Sequence, residues 1–329
     1  MTLREVPGAA KMKKMTITEA ARFLAERDDF LIISHRRPDG DAIGSSAGLC
    51  CGLSEMGKRA YLLPNPQITD KFVPYAQEFY APEGYEYGCL VSTDLADEGI
   101  IQLNAEELCG KVELSIDHHP SNSGYAENTL VLPEKASCGE VVQLILKELP
   151  CGISKKTAEM LYFAVATDCG CFRYKNTTAE TLRAAAELID TGIPSGSMNK
   201  KLFMTKSKGR LLLEGQIISN MEFHMDGELV IAVVSDEMIA ACGATEDDLD
   251  DVAVIAGQAE GVEVSMTLRQ TETGWKASVR TVDYANANAI CAQLGGGGHG
   301  MAAGCSMDCD VEEFKRLLLE AAKKVWKQA

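Results

Sequence analysis

No run of about 18 apolar residues occurs in the 329-residue chain, so no membrane-crossing helix is expected. C-x-x-C spacing is also missing despite twelve cysteines. The tightest groupings are Cys50-Cys51, Cys169-x-Cys171 and Cys305-x-x-x-Cys309. That spacing argues against both a metal cluster and a disulfide framework, and the thiols read as small buried hydrophobes, reduced in cytoplasm. Positive charge is scarce: 32 Lys and Arg face 48 Asp and Glu, for a formal charge of −16. The totals therefore lack the basic footprint of a protein that grips long duplex nucleic acid. A small anionic substrate stays compatible, because cations offset acidic ligands. The first fifteen residues hold no apolar signal core. They read as a frayed tail, with Met12 or Met15 as an alternative start. Internal repeats and low-complexity tracts are absent as well.

What is present is an ordinary globular composition, 46% hydrophobic and 24% charged. The length suggests two domains. Thr16-x-x-Glu19 is a capping box for a first helix. Apolar runs at 30–33, 59–63, 89–93, 112–116 and 129–132 read as strands. Helices are expected over 41–56, 70–79, 137–149 (capped by Ser137), 157–167 and from a Thr177-x-x-Glu180 cap to Gly192. Alternation of this kind predicts an α/β domain with a mainly parallel five-stranded sheet flanked by helices. The polar, Lys-rich stretch 193–215 reads as a linker. Beyond it, 221–225 and 228–235 flank the hairpin signal Asp226-Gly227. Strands at 252–256, 262–269 and 276–282, a helix at 285–294 and a last helix from Val311 complete a smaller α+β domain with a mixed sheet.

Chemistry-bearing residues gather at the ends of the first-domain strands. The loop SHRRPDGDAIGSS at 34–46 carries His35, Asp39 and Asp41. Asp94 follows the third strand, and Asp117, His118 and His119 follow the fourth. Asp168 ends a later helix. C-terminal strand ends share one edge of a parallel sheet, so these groups can converge there. Singly, each has an ordinary explanation: a turn and helix cap for D-G-D, strand termination for Asp94 and Asp117, surface positions for the histidines. Their joint placement at successive strand ends is what points to a site. Carboxylates with a few imidazoles and no thiolate suit a borderline-hard divalent ion such as Mn²⁺. Two such ions can generate hydroxide and clamp an in-line displacement at phosphorus.

The ordered set H-R-R-P-D-G-D, Asp94, D-H-H and Asp168 resembles the DHH phosphoesterase family. GGGGHGMAAG at 295–304 looks like that family's DHH-associated C-terminal domain. The form is that of small bacterial oligoribonucleases that also act on 3′-phosphoadenosine 5′-phosphate. The resemblance implies a tail at 1–15, a catalytic domain at 16–192 and a substrate-binding domain at 216–329, with the active site in the cleft between them. It implies that His35 and Asp39 bind one divalent cation, that Asp41, His118 and Asp168 bind another, and that Asp94 bridges both. Mn²⁺ is expected, with Mg²⁺ or Co²⁺ allowed. His119 would act near the scissile phosphate, and Asp117 would orient a ligand histidine. Arg280, Thr281, Gly296, Gly297, Gly298 and His299 would grip the substrate's terminal phosphate or sugar. DCGCFRY at 168–174 matches the family's D-T-G-x-F-R-Y except at Cys169, whose thiol is expected to alter packing around Asp168 slightly.

The implied activity is hydrolysis of short oligonucleotides to mononucleotides, together with removal of phosphate from 3′-phosphoadenosine 5′-phosphate. The alternatives are a cyclic-dinucleotide phosphodiesterase or pyrophosphatase of the same family, or an inactive nucleotide-binding protein. Expected partners are short RNA or DNA oligonucleotides or nucleotide bisphosphates. No long duplex and no membrane are expected, and a homodimer is allowed. Five other signals are set aside. GLSEMGKR at 52–59 nearly matches a phosphate-binding loop but ends a helix, with Gly57 as its cap. Arg269 is a rival anion contact. His224 reads as structural. Phe172, Tyr174 and Tyr284 read as core packing before base stacking, and the charges at 315–327 as a solvated helix face.

Overall fold

The computed structural model describes residues 13–326. The chain divides between Thr205 and Lys206 into two compact units.

In the first unit the elements run β1 (Lys13–Lys14), α1 (Ile17–Ala25), β2 (Phe30–Ile33), α2 (Gly40–Glu55), β3 (Ala60–Leu62), α3 (Val73–Ala76), β4 (Cys89–Thr93), β5 (Leu114–Asp117), β6 (Asn128–Val131), α4 (Cys138–Glu148), α5 (Lys155–Asp168), α6 (Ala179–Asp190) and α7 (Ser195–Asn199). The strands form one parallel sheet in the order β1-β6-β5-β4-β2-β3. Six strands replace the expected five. Lys13 and Lys14, read as tail, join the edge through backbone bonds from Lys13 N–H to Glu127 O and from Met15 N–H to Thr129 O. Residues 1–12 of that expected tail lie outside the described residues.

Strand β2 shows why the sheet is two-faced. All four residues of FLII are buried, and side chains alternate between faces. Phe30 and Ile32 join the core under α1, α2, α4 and α5, whereas Leu31 and Ile33 join a second cluster with Leu90, Leu95, Ile101 and Leu108. That second face is covered by 3-10 turns at Glu98–Ile100 and Leu103–Leu108.

Helix α2 is buried along nearly its whole length and carries glycine at every fourth position: Gly40, Gly44, Gly48 and Gly52. A Cβ on Gly40 would lie 2.3 Å from Thr167 Oγ1, and one on Gly44 2.6 Å from Met160 O. Each glycine costs the helix about 1 kcal/mol relative to alanine. In return α2 lies almost backbone to backbone on α5, with Gly40 beside Thr167.

The capping signals hold at Thr16, where both halves of the box form, and at Ser137. For α6 the cap is Thr178, with Thr181 completing the box, one residue beyond the expected Thr177. The helix expected at 70–79 shrinks to α3 and a 3-10 turn, because Pro74 has no N–H to continue a longer one.

The second unit contains α8 (Lys208–Ser219), β7 (Glu222–His224), β8 (Leu229–Val234), α9 (Asp236–Cys242), β9 (Val264–Thr271), β10 (Gly274–Thr281), α10 (Ala287–Ala292), β11 (Gly297–His299), β12 (Ala302–Met307) and α11 (Val311–Trp326). The sheet order is β11-β12-β10-β9-β8-β7, antiparallel except for β8 with β9. Much of the stretch read as linker is helical. Leu213 and Ile217 of α8, four residues apart, pack against Val230, Ala232 and Val234. The strand expected at 252–256 is a pair of 3-10 turns. Val252 and Ile255 are both buried, and a three-residue spacing suits a turn, not a pleat. Lys315 is no solvated charge: it is 9% exposed and paired with Glu222 and Glu312. Lys327 lies outside the described residues. No helix among the described residues is long and apolar enough to cross a membrane.

Candidate metal centre

Strand order determines where the side chains meet. The chain steps from β2 out to β3, then returns to β4 on the other side of β2 and continues outward through β5 and β6. This reversal leaves a crevice at the C-terminal ends of β2 and β4, the usual ligand position in an open parallel sheet. His35 follows β2 and Asp94 follows β4, with His35 Nε2 3.8 Å from Asp94 Oδ2 and 3.9 Å from Asp39 Oδ1. His118, after β5, places Nε2 3.5 Å from Asp94 Oδ1, 3.6 Å from Asp41 Oδ2 and 3.9 Å from Asp168 Oδ2.

Donor atoms of three overlapping sets lie within 4.8 Å of one another: His35, Asp39 and Asp94; Asp41, His118 and Asp168; and Asp94, His118 and His119. Separations of 3.5–3.9 Å are too long for good hydrogen bonds but suit donors that share one ion. Asp94 is 3% exposed, and its Oδ1 is buried without a hydrogen-bond partner. Its backbone is left-handed at φ 53°, which costs a non-glycine residue roughly 1 kcal/mol. A buried, strained carboxylate with an orphaned oxygen fits a cation site. The clusters of carboxylates and imidazoles can therefore hold divalent metal.

Other groups hold these side chains in place. Asp41 accepts from the first amides of α4, Cys138 N–H at 2.6 Å and Gly139 N–H at 2.9 Å, where the helix dipole favours an anion. Asp39 Oδ1 caps α2 through Ala42 N–H at 3.0 Å, so its turn-and-cap role coexists with its place beside His35. Asp117 Oδ1 lies 2.8 Å from His119 Nδ1 and accepts both His118 N–H and His119 N–H, while Asn122 donates to its Oδ2 at 2.6 Å. His118 Nδ1 lies 3.2 Å from Lys135 O. Asn176 donates to Asp168 O and Oδ2, at 3.2 and 3.3 Å, and Asn65 to His35 O at 2.9 Å. Sequence reasoning missed these three asparagines, because an asparagine in a turn carries no distinguishing signal. Cys169 is fully buried against Ala136, Val165 and Phe172.

Crowding sets the charge states. Burial raises Asp41 well above the usual carboxylate range, with Asp94 and Asp168 adding to it. Burial raises Asp94 too, and pushes Asp168 up to about 6. For His118 burial opposes the charged ring, but Asp94, Asp41 and Asp168 outweigh it and lift the imidazole to about 10. Asp117 is pushed up by burial yet held below its usual range by His119 and Asn122. His119 is raised, chiefly by Asp117.

In the second unit Arg280 pairs with Ala302 across β10 and β12, and His299 pairs with Ala302 across β11 and β12. Arg280 and His299 thus share one rung and one sheet face, about 10 Å apart with a small residue between them. Thr281 is buried and its hydroxyl donates to Gly300 O at 3.3 Å. The glycine run is partly an edge strand, not a free loop. A Cβ on Gly296 would lie 2.2 Å from Gly304 O and one on Gly298 2.5 Å from Ala302 O, so β12 itself requires those two glycines. Of the signals set aside, Arg269 is engaged by Glu246 at 2.7 Å and Gly57, at φ 79°, follows α2. His224 lies 3.8 Å from Glu222, with its Nε2 lacking a hydrogen bond. Phe172 packs inward, whereas Tyr174 is 58% and Tyr284 46% exposed, contrary to the core packing expected for both.

Comparison with known proteins follows the same division. Residues 29–193 match the DHH family, N-terminal domain, and residues 227–328 the DHHA1 domain. The bifunctional oligoribonuclease and PAP phosphatase NrnA of Thermus thermophilus is 34% identical over 298 residues, 89% of each chain. Its Bacillus subtilis namesake is 27% identical, over 88% of this chain and 93% of that one. A crystal structure of an exopolyphosphatase-related protein from Bacteroides fragilis has a TM-score of 0.83 at 26% identity, covering 94% of this chain and 96% of that one. With both domains matched in order, and with a relative of that identity along almost its whole length, the chain belongs to the DHH family.

Proposed function

We propose that the protein is a divalent-cation-dependent phosphoesterase. It hydrolyses very short oligoribonucleotides, such as linear dinucleotides, to mononucleotides and removes phosphate from 3′-phosphoadenosine 5′-phosphate. The observation that carries this reading is the overlap of three donor sets through Asp94 and His118. The names of the two curated relatives described above supply the substrate class.

In this reading His35 and Asp39 would hold one cation and Asp41, His118 and Asp168 a second, with Asp94 available to both. Oxygen and nitrogen donors without thiolate favour Mn²⁺, with Mg²⁺ or Co²⁺ as substitutes. Bound cations would supply Lewis acidity toward phosphate oxygens and activate water. The chain's own groups do the remainder. The contact with Asp117 ties down His119 Nδ1 and leaves Nε2 to present a proton to the leaving oxygen. Asn122 and two backbone amides keep Asp117 ionised for that task. Arg280 and His299, on one rung, are the proposed grip for a terminal phosphate, with Thr281 and Gly296–Gly298 shaping the backbone around it. All twelve cysteines are free thiols, which fits a reducing cytoplasmic setting.

The deciding experiment is a Mn²⁺ hydrolysis panel of RNA two- to five-mers, a long RNA, 3′-phosphoadenosine 5′-phosphate, linear and cyclic diadenylates and pyrophosphate. The expected result is fastest turnover of the shortest linear RNAs, with release of AMP from the bisphosphate. Fastest cleavage of pyrophosphate, the cyclic dinucleotide or the long RNA would replace this reading.

A further inference from the structure

The turn that follows Asp168 is unusually constrained. Gly170, Cys171 and Phe172 are consecutive left-handed residues, at φ 53°, 57° and 63°. Two of them carry side chains that disfavour this region, and such strain concentrates at functional sites. Phe172 anchors the turn by packing on Ala136, Val165 and Cys169. Cys169 O accepts from both Arg173 N–H, at 2.9 Å, and Tyr174 N–H, at 3.2 Å. Asn176 closes the segment back onto Asp168.

The turn fixes one ring. Tyr174 lies over Gly170 so closely that a Cβ there would sit 2.4–2.6 Å from the hydroxyl end of its ring. One side of the ring is thus supported by backbone, yet the residue remains 58% exposed. Its hydroxyl has no hydrogen-bond partner among the described residues, so polar contacts do not explain its place. Of the aromatics singled out in the sequence, Tyr284 is also exposed, but it already meets Trp326 edge-on at 5.6 Å.

We propose that Tyr174, six residues beyond the candidate metal-binding Asp168 on the turn that follows it, is a stacking platform for a nucleobase of the substrate. This rests on the phosphoesterase reading above and adds to it a contact for the base, where the other assigned groups address phosphate. Every base has a π-face, so such a platform tolerates sequence while rejecting phosphoesters that lack a base. A rigid ring also gives up little conformational entropy on binding.

The test compares wild type, Tyr174→Ala, Tyr174→Leu and Tyr174→Phe in Mn²⁺ on a ribodinucleotide and on the same compound made abasic at either position. Tyr174→Ala and Tyr174→Leu should raise KM for the ribodinucleotide on the order of 10- to 100-fold, and Tyr174→Phe should restore it. For the compound abasic at the stacked position, all four proteins should share one KM. Equal losses on intact and abasic compounds, or an unchanged KM in Tyr174→Ala, would overturn the platform. Should wild type hydrolyse none of these compounds, the phosphoesterase reading falls by itself. Equilibrium binding of AMP against ribose 5-phosphate then decides the platform: a preference for AMP that Tyr174→Ala abolishes supports it, and its absence in wild type overturns it.

Discussion

In the first unit Asp94 is 3% exposed, and its neighbours are held by amides, asparagines and one another. In the second, Gly297, Gly298 and His299 are all exposed, and what holds them is backbone pairing to β12. One unit fixes side chains and the other fixes main chain. Fixed side chains suit chemistry, where small misplacements are costly. A main chain fixed in an exposed edge strand suits recognition of a flexible anion.

The widest separation between the two regions should come from paired substitutions. Asp94→Asn is expected to lower Mn²⁺-dependent turnover on the order of 1,000-fold, with an unchanged circular dichroism spectrum. Arg280→Ala is expected to leave kcat within a few-fold and to raise KM about tenfold or more, through loss of a charge-assisted contact. A kcat collapse in Arg280→Ala would merge the two roles. A sharper version uses metal binding alone. Asn176→Ala should weaken Mn²⁺ binding about 10- to 100-fold in a titration, whereas His299→Ala should leave it unchanged.

Glycines extend the comparison to stability. Gly44→Ala drives a methyl into Met160 O and Ala164, and denaturant melts should show a loss of roughly 1–3 kcal/mol. A Cβ on Gly297 meets nothing nearer than 3.9 Å, and Gly297→Ala should stay within about 0.5 kcal/mol. The smallest effect concerns Glu140, whose carboxyl burial raises, partly offset by Thr181 and Lys135. A raised folded pKa gives stability that is complete below the unfolded carboxylate range and is lost as pH climbs through the raised value. Glu140→Gln removes that dependence, so its melts should gain on wild type as pH rises from 4 toward neutrality. A constant difference across that range would reject this source of the shift.

Much of the first unit was legible because apolar runs such as FLII end in groups that do not belong in a core. His35, Asp94 and Asp117 each mark such a break. What escaped notice lacked any pattern of its own. Lys13 and Lys14 are charged and only two residues long, and they form a strand because β6 offers an open edge. Gly297–His299 has no strand propensity, and pairing with β12 imposes its form. Val252 and Ile255 read as a strand because β-branched residues populate both strands and cores, and only the observed three-residue burial spacing separates the two. Asn122 and Asn176 are ordinary turn residues until the carboxylates they orient are seen beside them.

The glycine row of α2 has a metrological consequence. Asp39 and Asp41 stand at the start of that helix and Asp168 at the end of α5. The gap between them is gauged by two backbones in contact, not by loop conformation. A rigid gauge of this kind would tolerate changes of sequence in the surrounding loops while keeping the carboxylates in calibration. Its weak point is predictable: any side chain added at Gly40, where Thr167 already fills the space, would reset the spacing without touching a single charged group.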